Sequence, residues 1–296
     1  MQSALKLAGL LGLGLVISCA MLVIHTWWGL TRPRRRGYAY AVSRGLPGDP
    51  GELEKPREYE ELRLEPTGGV PALALWSVAG DSPNGPVVIF SHGWGQSRHS
   101  VLTRIDALAR HASRIIAWDL PAHGDSGGVS QLGAAADLRA LERVAGWALD
   151  CFASPLVLCG YSLGAGLSVA LAASRPELAT QVIAEAPYRL AITPARAVLA
   201  QQGLPHAWSL VIAMKLAGAP GHAAFDRAQA AAGVRCPLLV LHGEVDDIAP
   251  LEDGRAIADA APDGRFVEIK YGGHKTLWLD ANQREACIRA IQEFLA

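Results

Sequence analysis

Apolar and polar positions divide the 296-residue chain into three stretches with different periodicities. Residues 7–30 form an uncharged, largely apolar run of 24 residues, LAGLLGLGLVISCAMLVIHTWWGL. Residues 31–58 follow with no sustained period of two or 3.6 and are rich in Pro, Gly and charge, so they read as a tether. Beyond residue 58, short apolar runs alternate with longer helical patterns. Runs at 59–64 and 72–78 predict an antiparallel pair, and those at 87–91, 114–120, 155–160, 181–186, 237–243 and 265–270 predict buried strands. Helical patterns fall at about 100–111, 131–150, 163–174, 252–261 and 281–295. Strand then helix, repeated, implies a mostly parallel sheet covered by helices on both faces.

One interval breaks that rhythm. Fifty residues separate Ala186 from Pro237, and within them 207–216 is an apolar helical run carrying Trp208 and Met214. A small helical cap inserted at about 188–234 is expected, since long connections of this kind are usually functional; a longer crossover with surface helices is the alternative.

At 1.5 Å per residue the first stretch is roughly 36 Å long as a helix, enough to cross a hydrocarbon core of about 30 Å. Trp27 and Trp28 lie at its far end, where amphipathic rings suit the interface, and RPRRR follows. Four arginines after the segment outweigh Lys6 before it. A single-pass anchor with everything downstream in the cytoplasm is therefore expected. A cleaved signal peptide fits less well, because the apolar run is long for such a segment and a basic cluster just after it opposes translocation. Val16-Ile17-Ser18-Cys19 also resembles a lipoprotein cleavage box, although the chain stays apolar for eleven residues beyond Cys19.

Charge sharpens the division. The chain carries 27 Lys+Arg and 28 Asp+Glu, yet residues 1–50 hold six basic residues against one acid, so the remainder is net −6. That larger part has no basic excess for phosphates, which argues against nucleic acid as a partner. Five scattered cysteines, with no CxxC pair or metal-ligand spacing, read as reduced thiols. No motif speaks to oligomeric state.

Four motifs sit at predicted strand ends, where open parallel sheets bind ligands. Gly160-Tyr161-Ser162-Leu163-Gly164 lies between a strand and a helix, holding a serine out on a tight turn at a helix N-terminus. Ser91-His92-Gly93-Trp94-Gly95 closes another strand; its Trp94 N–H, with that of Leu163, can form a two-donor oxyanion hole. His92 reads as structural, and the Trp94 ring as either pocket wall or packing. Glu244-Val245-Asp246-Asp247 ends a third strand; Asp246 is the choice for orienting a histidine, with Asp247 and Glu244 as rivals. Gly272-Gly273-His274 follows the last strand, and a histidine there can take and return the serine proton.

Over residues 58–296 these motifs resemble the α/β-hydrolases, with the size of the cap and the anchor most similar to the serine-aminopeptidase-like and monoacylglycerol-lipase-like branch. Asp119-Leu120-Pro121-Ala122-His123-Gly124-Asp125-Ser126 is similar to the family turn D-x-P-G-H-G-x-S, with Ala122 replacing the usual glycine. With the hydropathy reading, the expected organisation is a transmembrane helix and the start of a basic anchor at 1–31, a linker at 32–57 and, as the resemblance implies, an α/β-hydrolase domain at 58–296. The resemblance also implies Ser162 as nucleophile, His274 as base then acid, Asp246 as orienting acid, Trp94 and Leu163 as oxyanion donors, and no metal or organic cofactor. A small ester or acyl substrate is expected, with lipid esters suggested by the Trp208 run and the anchor. Peptidase or amidase activity is the alternative, and a silent binding protein is the remaining one.

Overall fold

A computed structural model describes residues 2–201, 208–218 and 226–296. Its centre is an eight-stranded sheet in the order β1-β2-β4-β3-β5-β6-β7-β8. The strands are β1 (Tyr59–Leu64), β2 (Leu73–Ala79), β3 (Val87–Ser91), β4 (Arg114–Trp118), β5 (Leu156–Tyr161), β6 (Gln181–Glu185), β7 (Leu238–Gly243) and β8 (Gly264–Ile269). β2 runs antiparallel to β1 and β4, and the other pairings are parallel. The strands follow the apolar runs within one or two residues. Such runs need both faces covered, and β3, β5 and β7 are buried along their whole length. β1 instead exposes Glu60, Glu61 and Arg63 on an outer strand, where charge discourages pairing with another chain.

Helices α4 (Ala135–Phe152), α5 (Leu163–Ser174), α8 (Arg227–Ala231) and α9 (Leu251–Ala260) cover one face, and α3 (Ile105–Ala109) and α10 (Ala281–Leu295) the other. Leu141, Val144, Leu167 and Ile257 fill the first layer, and Ile105, Leu108, Cys287 and Ile291 the second; none exposes more than a trace of surface. Full burial of such side chains contributes roughly 1.5–3 kcal/mol each. The 100–111 pattern resolves into a short 3-10 turn (Arg98–Val101) and α3 rather than one helix.

Between β6 and β7 lie α6 (Ile192–Gln201), α7 (Trp208–Leu216) and α8. Ala207, the first residue of the predicted 207–216 run, lies outside the described residues. Leu210, Ala213 and Met214 of α7 are buried, whereas Trp208 is 45% exposed.

The largest difference from expectation concerns the N-terminal stretch. α1 (Gln2–Thr31) exposes Leu10, Val16 and Met21 by about two thirds each, yet Val23, Thr26, Leu30 and Thr31 near its end are buried. Spacings of three and four place Val23, Thr26 and Leu30 on one face, and Leu30, with Trp27, packs into the cluster formed by α6 and α7. Residues 32–57, expected as an irregular tether, contain α2 (Tyr38–Val42) and a 3-10 turn (Pro50–Glu52). They are also bonded to the sheet domain, Arg35 Nη1 donating to Gly124 O at 2.9 Å, and just before them Ser130 N–H donates to Thr31 O at the end of α1 at 3.0 Å. Long-range packing overrides what Pro, Gly and charge suggest locally.

Candidate active site

Ser162 sits between β5 and α5 with φ 53° and ψ −107°, a left-handed backbone that costs a non-glycine residue on the order of 1–3 kcal/mol. The turn is possible because the residues two positions to either side, Gly160 and Gly164, have no side chains. A Cβ on Gly160 would lie 2.3 Å from Gly164 C, and one on Gly164 would lie 1.9 Å from Ser91 O. The spacing of the motif is thus set by the close approach of the strand, the helix and β3.

His274, after β8, points Nε2 at Ser162 Oγ at 3.0 Å. Its Nδ1 lies 2.7 Å from Asp246 Oδ2. Asp246, fully buried at its side chain, also accepts from the Ile248 and Ala249 amides at 2.9 and 2.8 Å through Oδ1. Burial by itself would raise this carboxyl, but hydrogen bonds from His242 and His274 and the charge of His274 outweigh it and hold the acid well below its ordinary range. The three residues singled out for catalysis therefore form one hydrogen-bonded chain. Asp247 instead accepts from Gln201 Nε2 at 2.9 Å, and Glu244 accepts from the Tyr271 amide at 3.0 Å, so neither rival reaches His274.

His92 is buried and held on both ring nitrogens, Nδ1 against Gly93 O at 2.8 Å and Nε2 accepting from the Leu120 amide at 3.0 Å. Burial pushes it down to about 3, which keeps the ring neutral and structural. Trp94 and Leu163 both line the cavity with Ser162 and His274. Leu163 opens α5, where no intrahelical acceptor exists for its N–H. The Trp94 ring does both things expected of it: it lines the cavity, and its Nε1 donates to Leu30 O at 2.9 Å.

Ala122 lies in left-handed backbone at φ 69°, which explains why glycine suits this turn. The turn is fastened by buried Asp119, which accepts from the Arg98 amide and Nη1, each at 2.6 Å.

Two groups of residues were not anticipated. Beneath the serine turn, Glu185 accepts from Arg104 Nε at 2.8 Å and Trp278 Nε1 at 2.9 Å, while its carbonyl receives the Ser162 amide at 2.8 Å. Phe90, Tyr161 and Trp278 surround the Arg104 guanidinium at 5.0 to 5.3 Å. Tyr161 Oη also donates to His274 O at 2.6 Å, tying the serine turn to the histidine loop. A lone Arg and a lone Glu 81 residues apart leave no local signal. The second group walls the cavity, which encloses about 470 Å³, within the usual range for small-molecule sites. Leu30 from the end of α1 and Arg36, Tyr40 and Arg44 from the supposed tether contribute, together with Pro194 and Val198 of α6. Trp208, the residue that suggested an apolar substrate, does not line it.

The sequence and structure have known counterparts. Residues 86–211 match a family model described as the alpha/beta hydrolase fold. An uncharacterized protein of Mycobacterium tuberculosis, found in two strains, is 28% identical over 194 residues, 64% of this chain; the match spans 63% of that protein's length. Among solved structures, an esterase of Pyrococcus furiosus superposes with a TM-score of 0.71 at 20% identity, covering 90% of this chain and 97% of that one. A Thermogutta terrifontis esterase gives 0.58 at 22% identity, with 80% and 98% covered. A Butyrivibrio proteoclasticus protein solved with ferulic acid gives 0.62 at 18%, with 79% and 97% covered. The chain has the α/β-hydrolase fold, with a mostly parallel sheet and helices on both faces.

Proposed function

We propose that this protein is a serine hydrolase that cleaves carboxylic esters through an acyl-enzyme. The observation that carries this reading is the continuous chain Ser162 Oγ, His274 Nε2, His274 Nδ1 and Asp246 Oδ2, at 3.0 and 2.7 Å, opening onto one cavity. His274 takes the Oγ proton as Ser162 attacks the ester carbonyl, and the amides of Trp94 and Leu163 receive the developing oxyanion. His274 then gives the proton to the departing alcohol. Water, activated by the same histidine, attacks the acyl-enzyme and releases the acid, returning the serine. The anionic Asp246 holds the imidazole in the tautomer that presents Nε2 to the serine.

We further read α1 as a membrane anchor. Leu5–Thr31 carries a single charged residue, Lys6, and contains an 18-residue stretch with a mean hydropathy of 2.6. Because the end of the helix packs on the cap, the part projecting freely is about 5–22, roughly 27 Å, close to a hydrocarbon thickness of about 30 Å. This reading puts the catalytic domain directly against the membrane, on its cytoplasmic side by the arginine bias.

Labelling by a fluorophosphonate probe, with turnover of matched ester and amide substrates, tests the proposal. Wild type is expected to label and to cleave the ester. Ser162→Ala should not label, and both it and His274→Ala should lose at least about 10³-fold in kcat. Turnover retained in either variant overturns the triad, and faster cleavage of the amide moves the reading to a peptidase or amidase.

A further inference from the structure

The wall of the cavity carries an uneven charge. Arg36, Arg44 and Lys275 line it together with Ser162 and His274, and no Asp or Glu among the described residues does. None of these three cations forms an ion pair with a carboxylate among the described residues. Arg36 and Arg44 are instead held by one aromatic ring, their guanidinium carbons 4.9 and 4.7 Å from the Tyr40 centroid, so the two like charges lie within about 10 Å of each other. Leu30, Trp94, Leu132, Val198 and Ile248 supply an apolar part of the lining, beside the neutral polar Gln96 and Gln201. This concentration of positive charge contrasts with the domain downstream of residue 50, which is net −6.

The basic cluster that follows α1 therefore has two fates. Arg32 stacks over Trp28 at 4.0 Å, consistent with a collar at the end of the helix, whereas Arg35 turns to the domain and bonds Gly124 O. Arg36 and Arg44 face the cavity, where a membrane collar has no use for them. Unpaired cations lining a cleft with apolar walls concentrate anions in it, and a guanidinium pair fits the oxygens of a phosphate, sulfate or carboxylate.

We propose that the substrate is an amphiphilic acyl ester bearing an anionic group, with the anion held by Arg36, Arg44 and Lys275 and the acyl chain against the apolar wall. This deepens, and rests on, the hydrolase reading above. It also makes the N-terminal segment a specificity element of the enzyme, supplying two of the three cations and, through Leu30, part of the apolar wall.

The test uses the full chain in uncharged detergent micelles. It compares kcat/KM for a decanoyl glycerol ester with that for the same ester carrying a phosphate on its glycerol. A second pair with butyryl chains, monomeric in solution, separates a free soluble anion from a lipid headgroup. Wild type should prefer the phosphorylated ester by about tenfold or more, mainly through KM, and the preference should shrink at high salt. In R36Q/R44Q the ratio should fall toward one, while R36K/R44K should keep most of it. Preference in both pairs identifies a soluble or lipid anion alike, and preference confined to the decanoyl pair identifies a lipid headgroup; either supports the proposal. A ratio near one in wild type, or one unchanged in R36Q/R44Q, overturns it. If the neutral ester is turned over without preference, only this inference fails. If no ester is cleaved and Ser162 does not label, the hydrolase reading fails with it.

Discussion

The strand-end site and the wall of its cavity are built in opposite ways. Ser162, Asp246 and His274 each sit within five residues of the end of their own strand, so a local turn delivers each side chain and the sheet register brings the three ends together. The wall is assembled from residues near 30–44, 94–96, 132, 188–201 and 275, which meet only because α1 and the cap fold over the sheet. The serine, histidine and acid are placed by local turns at strand ends, whereas the wall depends on long-range packing. The two should therefore respond to substitution independently, and several variants test that separation.

After the loss expected on removing Ser162 or His274, the largest effect lies at the orienting acid. Asp246→Asn should lower kcat at least about 10²-fold, because the imidazole loses the carboxylate that fixes its tautomer. Asp247→Asn, exposed and bonded to Gln201 rather than to His274, should stay within about twofold. Equal losses in steady-state assays of the two would mean that the acid has been misassigned.

Leu30→Ala probes the wall without touching the triad. Leu30 is 5% exposed and lines the cavity. Long-chain esters should lose about tenfold in kcat/KM, in line with the effect of a few methylenes in an apolar pocket, and acetyl esters should be nearly unaffected. A uniform loss across chain length would show that wall and site are one unit.

Two buried carboxylates sharpen the comparison through pH. Asp246 is held below its ordinary range, so its contribution is present above the unfolded value and disappears only as pH falls through the lower folded one. Asp137 behaves in the opposite sense. Burial pushes it up to about 6, despite hydrogen bonds from the Gly133 and Gln131 amides and Ser130. It fastens the loop that places Leu132 in the wall, with Leu132 itself in left-handed backbone at φ 55°. A raised folded value means the native state holds the proton more tightly, so stability should decline as pH rises from about 4 to about 6, by on the order of 2–3 kcal/mol. Denaturant titrations across that window should show the decline in wild type and a flatter profile in Asp137→Asn.

The smallest effect belongs to the turn that holds Ala122. Ala122→Gly should relieve left-handed strain but free the unfolded chain, leaving a net stabilisation below about 1 kcal/mol, measurable as a small rise in Tm. Activity should not change, because Ala122 does not line the cavity.

Much of the scaffold was legible because its signals are short-range. Central strands such as β3 and β5 are continuous apolar runs, and α5 and α10 have the predicted bounds. Glycines 160 and 164 announce the serine turn, since side chains there collide with backbone. The choice of Asp246 over Asp247 was legible only as a preference. Geometry separates them: one accepts two amides of its own turn and faces His274, while its neighbour points out to the cap. The buried Arg104 and Glu185 pair left no trace in sequence, and Trp208 was misleading, because an apolar residue in a cap helix can face outward.

The sequence alone determined the alternation of strand and helix, the turns at the strand ends and the identity of the residues on them, because each depends on neighbours a few positions away. Only the tertiary structure decided the role of residues 31–44. Their Pro, Gly and Arg content describes a flexible basic collar equally well, and nothing local distinguishes an arginine at a membrane surface from one facing a cavity. Burial of Leu30 against the cap, the Trp94 hydrogen bond to its carbonyl and the docking of Arg35 on Gly124 settle the path of that segment. Those contacts turn a presumed tether into one wall of the cavity.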